Sequence, residues 1–162
     1  MSSNCRVVTP GPNSVPAPLT FDLKFSGLVS AASGVVTAPD SGNVSTLGTA
    51  VNGPTYAFDT PRKIYGFTVV VRTPLAVTNE TLDFQLATFT NGLGSGTPIP
   101  NFSIPFAQTG TPPDSGIVTF TADTPFTLPV GEALGLLVTH AGGDSSARTF
   151  SATVKVGLSA AQ

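Results

Sequence analysis

The distribution of apolar positions is that of a chain of short strands. Between Ala133 and Val138 no residue is charged, and Leu134, Leu136, Leu137 and Val138 put apolar groups on both faces of an extended chain. The run 132–140 is too short to span a membrane and is bounded by Pro129, Val130, Gly131 and by Gly142, Gly143. It predicts a strand buried on both sides, around which the other segments pack. Those other segments show one apolar face each. Leu19, Phe21, Leu23 and Phe25 alternate with Thr20, Asp22, Lys24 and Ser26; Ile64, Phe67, Val69 and Val71 mark a β-branched run ended by Pro74; Leu82, Phe84 and Leu86 share a face. The segment 102–107 is interrupted by Pro105 and predicts an edge or bulged strand. Val118 and Phe120 mark 116–121, a short strand is expected at 126–128, and Phe150, Ala152, Val154, Val156 and Leu158 alternate through 149–158. The stretch 30–61 is weaker, with turns at Pro39–Gly42 and Asn52–Pro54 and a short strand at 55–58.

No window of 11 residues has helical periodicity. About eight strands spaced by turn signals predict an all-β fold, an antiparallel jelly-roll β-sandwich over 19–162. Residues 1–18 are a separate block. Pro10, Pro12, Pro16 and Pro18 exclude a helix or a central strand there, so the block reads as an extended N-terminal arm in which Cys5, Arg6, Val7 and Val8 alone have strand character. A disordered tail is the other reading of the same block.

Composition sharpens this picture. In 162 residues there are 17 Gly and 15 Pro but only 10 % charged side chains, a mix that suits turns and strands and opposes long helices. One domain of this length buries roughly two-thirds of its unfolded surface. The net charge of −2, without a basic run or acidic tail, argues against nucleic acid or an anionic membrane as partner. So few charges also fit a surface that packs against copies of itself, or a neutral hydroxyl-rich monomer. The start, Met1 to Arg6, lacks the apolar core of a secretory signal, and no segment reaches about 18 apolar residues.

Candidate chemistry is sparse. One His and one Cys make neither a metal cluster nor a Cys–His pair, so no metal, cofactor or catalytic residue is expected. His140 closes the apolar run and reads as a solvated or capped side chain. The triplets Asp40-Ser41-Gly42 and Asp114-Ser115-Gly116 have the form of an aspartic-protease dyad, but each follows a proline and reads as an ordinary turn. Asn43, Asn79 and Asn101 begin glycosylation tripeptides of the kind a Ser/Thr-rich chain contains by chance. Cys5, on an arm, is a candidate for an intermolecular disulfide; an idle thiol is the alternative.

The patterns from Lys63 to Arg72, Leu82 to Thr90, Thr97 to Pro100, Gly116 to Phe120, Phe126 to Val138 and Phe150 to Leu158 together resemble the C-terminal β domain of exosporium collagen-like glycoproteins, which coat spores of bacilli. The resemblance implies trimers of jelly rolls similar to complement C1q and tumour necrosis factor heads. For related spore-appendage subunits it implies stacking in which each unit grips its neighbour with an N-terminal peptide. No Gly-X-Y tract precedes the domain, which favours a fibre whose repeating unit is the domain itself. An arm of 18 residues reaches at most about 60 Å, enough to dock on another copy. The expectation is therefore a non-enzymatic structural subunit at a spore surface or in an extracellular fibre. Its partners would be copies of itself and a spore-surface anchor protein, and Cys5, Arg6, Val7 and Val8 would add as a strand to the next subunit. A trimeric C1q-like binding head is the competing expectation.

Overall fold

The computed structural model describes residues 19–30, 33–38, 42–46, 56–75, 80–90, 96–107, 114–142 and 146–158. The arm, with Cys5, Arg6, Val7 and Val8, lies outside the described residues. Those residues contain no helix and ten strands. They are β1 (Thr20–Val29), β2 (Ser33–Ala38), β3 (Gly42–Thr46), β4 (Tyr56–Ala57), β5 (Arg62–Leu75), β6 (Thr81–Thr90), β7 (Thr97–Ala107), β8 (Asp114–Leu128), β9 (Glu132–Ala141) and β10 (Arg148–Leu158).

A four-stranded sheet has the order β1-β10-β5-β8, and the second sheet runs β3-β2-β9-β6-β7, with β4 also pairing β9. Every pairing is antiparallel. The chain changes sheet after β1, β4, β5, β7, β8 and β9, so most sequence neighbours face each other across the core. Two four-strand sheets interleaved in this way are a jelly roll, with β3 and β4 as additions to the long connection between β2 and β5.

The predicted centre is where the sequence placed it. β9 is flanked by β2 and β4 on one side and β6 on the other. Leu134, Leu136 and Val138 fill the space between the sheets. Ala133 and Leu137, on the opposite face, join Ala87 and Phe89 in a second, smaller cluster. The ring of Phe89 lies against Gly135, where a Cβ would collide with it, which explains a glycine in the middle of a central strand. Across the main core, aromatic rings stitch the sheets together: Phe84 meets Phe150 edge-on at 5.3 Å, and Phe102 meets Phe120 at the same distance.

Several expectations change in detail. The strand 149–158 begins one residue earlier. The strands expected at 116–121 and 126–128 are one, β8, folded around a register shift opposite Tyr65. Asp114, Ser115 and Gly116 are strand, not turn, because Asp114 pairs with Leu75 past a second shift. In β1 the expected apolar face is only half used. Leu23, Phe25 and Val29 are buried, while Leu19 and Phe21 stay exposed.

β7 is the edge strand that Pro105 predicted, and it begins five residues earlier than expected. Between Gln85↔Ser103 and Ala87↔Pro98 the register jumps, with Asn101 at φ 65° inside the bulge. The ladder is replaced there by one side chain. Gln85 Nε2 donates to Ile99 O at 2.8 Å and Phe102 O at 3.0 Å, and also lies 3.1 Å from Leu86 O. Replacing Gln85 with Ala leaves two carbonyls of the bulge without a donor. The expected cost is about 1–3 kcal/mol, read as a lower urea midpoint at unchanged slope.

Candidate functional site

A buried ionic cluster closes one end of the sandwich. Glu80 stands just ahead of β6, His140 near the end of β9 and Arg148 at the start of β10; their exposures are 0 %, 1 % and 2 %. Glu80 Oε1 lies 2.7 Å from His140 Nε2 and accepts from Arg148 Nε at 2.5 Å, while Oε2 accepts from Arg148 Nη2 at 3.1 Å. A carboxylate only accepts, so the imidazole proton facing it sits on Nε2. His140 Nδ1 has no hydrogen-bond partner among the described residues. Next to the cluster, Thr149 is fastened to Thr73 on β5 by its amide and by a hydroxyl pair at 2.7 Å, which fixes where Arg148 enters the core.

His140 is therefore not the solvated or capped side chain expected of a strand end. It continues the inward series Leu134, Leu136, Val138, and strand parity decides its direction. The same parity applies to its partners. Glu80 is two residues before Leu82, and Arg148 two before Phe150, so each polar group occupies the next inward position beyond an apolar series. That signal was in the sequence for all three.

The cluster pairs a carboxylate with an imidazole, but it is closed to solvent and its carboxylate is already occupied by a bidentate guanidinium. Its chemistry is structural: it ties β6 and β9 of one sheet to β10 of the other. Among the described residues no group of three or more His, Cys, Asp or Glu side chains is placed to hold a metal ion.

The surface offers two features of a different kind. At the root of the arm, Leu19, Phe21 and Leu158 form an apolar overhang. Leu19 is 76 % exposed, Leu158 N donates to Leu19 O at 3.4 Å, and Phe21 tilts against Phe58 at 6.1 Å. The second feature is the sheet edges, of which the short β3 (Gly42–Thr46) also lacks proline and charge. β7 is guarded by Pro98, Pro100 and Pro105, and β1 carries Asp22 and Lys24. β8 is the other edge of the four-stranded sheet, and from Gly116 to Thr121 it contains neither a proline nor a charge. Ile117, in the middle of that stretch, is 71 % exposed.

No protein-family model matches the chain, and no curated protein matches its sequence. Solved structures with a similar course of chain include the infectious bursal disease virus VP2 subviral particle, at 13 % identity and a TM-score of 0.44 over 94 % of this chain. Another is the cyanophage Pam1 capsid asymmetric unit, at 15 % identity and 0.46, covering 98 % of this chain and 97 % of that one. This chain spans only 37 % of the VP2 chain. The jelly-roll assignment rests on the strand order above.

Removing Glu80 takes away the carboxylate that the buried Arg148 guanidinium meets with two hydrogen bonds. Glu80→Ala is expected to cost about 3–5 kcal/mol by urea denaturation. Exchanging all three cluster residues together for apolar ones of similar size should cost far less, because no buried charge is then left alone.

Proposed function

We propose that this chain is a structural subunit that assembles with copies of itself, the N-terminal arm of one copy adding as a strand to β8 of the next. The observation that carries this reading is the edge at Gly116–Thr121, which has neither proline nor charge and, among the described residues, pairs only with β5. Natural sheets blunt their edges with proline, charge or bulges, as β7 and β1 do here; an uncharged, β-prone edge left open is a template for another strand. The arm supplies a strand of matching character in Cys5–Val8, and its prolines limit the entropy lost on docking. Donor and acceptor are different surfaces, so the contact is head-to-tail and generates a filament unless it closes into a ring.

The apolar overhang at Leu19, Phe21 and Leu158 supports a further, trimeric contact within each layer. The strand patterns that resemble exosporium glycoprotein domains support a place on a spore surface or in another extracellular fibre, with Cys5 available to cross-link neighbouring copies.

In negative-stain images the intact protein should form filaments, and a variant lacking residues 1–18 should give discrete soluble particles. Ile117→Lys places a charge on the open edge at an exposed position. It should leave the unfolding free energy within about 0.5 kcal/mol of the parent while shortening or abolishing filaments. Discrete particles from the intact chain at every concentration, or filaments that persist without the arm, would overturn the proposal.

A further inference from the structure

The outer face of the four-stranded sheet concentrates charge that the sequence scatters. Among the described residues, four cations rise from it: Lys24 on β1, Lys155 on β10, and Lys63 and Arg72 on β5. The remaining described cations are engaged elsewhere. Arg148 is buried in the ionic cluster, and Arg62 packs over the Phe58 ring at 5.2 Å and reaches Asp59 at 3.9 Å. Among them lies Asp22, in register with Lys155, and β8 adds Asp114 and Asp123 at the far edge of the sheet. A chain of net charge −2 thus presents one positive sheet face.

That face is not flat. Two depressions of about 270 and 400 Å³ lie side by side and share Thr153. The larger brings Lys24 and Arg72 together with the hydroxyls of Ser26 and Ser151. The smaller holds Asp22, Lys155, Thr68, Thr119 and Tyr65. Its shape comes from a bulge. Gly66 pairs with Lys155 and Ile64 with Val156, which leaves Tyr65 as the extra residue of β5. Gly66 has no room for a Cβ, which would run into the Phe120 carbonyl. On β10, Gly157 leaves space for the Tyr65 ring, which a Cβ there would approach to 2.6 Å. The ring is held against the sheet and borders a basin that also holds Thr68, Thr119, Thr121 and Thr153.

We propose that this face binds an acidic polysaccharide, one sugar ring lying against Tyr65 and a neighbouring unit presenting its carboxylate to Lys24 and Arg72. Arg72 offers a planar fork suited to a carboxylate, and the Ser and Thr hydroxyls donate to or accept from sugar hydroxyls. Asp22 accepts protons from sugar hydroxyls, a contact that polyphosphate, with no hydroxyl along its chain, does not return. A single ring also falls short of the successive aromatic platforms that unpaired bases use. The inference stands apart from the arm-to-edge assembly.

The test is titration of the intact, isotope-labelled protein with oligogalacturonate, followed by backbone amide shifts. Shifts should cluster at Lys24, Tyr65, Gly66, Arg72 and Thr153 and weaken as salt is raised. The methyl-esterified oligomer, alike in shape but uncharged, should bind about tenfold more weakly, as should Lys24→Ser/Arg72→Ser with the acidic form. Tyr65→Ala should weaken both forms, and Lys63→Ser, outside both depressions, neither. Absence of shifts, equal binding of the esterified oligomer, or stronger binding of polyphosphate or an oligonucleotide that ignores Tyr65→Ala would each overturn the proposal.

Discussion

The fold depends on taking β9 out of water on both of its faces. A single β-sheet can shield one face of a strand by packing on a second sheet; the other face must be covered separately. Here the inner face meets the four-stranded sheet through Leu134, Leu136 and Val138, and the outer face is sealed by the small cluster around Phe89. With β9 committed in this way, its pairing partners β2, β4 and β6 are fixed, and the interleaved order of the two sheets follows from the connections between them.

That constraint separates what the sequence reveals from what it hides. The uncharged stretch from Ala133 to Val138 announces the central strand because no exposed strand tolerates it. Pro98, Pro100 and Pro105 likewise put β7 at an edge, since a proline cannot donate to a ladder on both sides. Alternation in β1, by contrast, states which residues share a face but not how much of that face is covered. Leu19 and Phe21 therefore look like core residues and are not. The turn preference of Asp114-Ser115-Gly116 is a local tendency, and the pairing of β8 with β5 overrides it.

The polar features were obscured for related reasons. His140 was legible through its parity with Val138, but an isolated histidine at a strand end carries no hint of a partner 60 residues away. Lys24, Lys63, Arg72 and Lys155 form no run in the sequence; only the neighbouring positions of β1, β10 and β5 collect them on one face. The bulge at Tyr65 left a single local trace, the glycine that follows it.

The cluster of Glu80, His140 and Arg148 also bears on how the strands find their alignment. Each of the three occupies an inward position on a different strand or at its threshold, and apolar residues lead up to it. Shift any one of these strands by a single residue and its whole apolar series turns outward, while the ionic group it carries leaves the other two without their counterpart. Such a misalignment loses hydrophobic contact and also strands charge in the interior, about 3–5 kcal/mol on its own. An aliphatic trio in the same place would forgive the error more readily. The triad thus acts as an alignment check that reads both sheets at once, satisfied only when β6, β9 and β10 have all arrived in step.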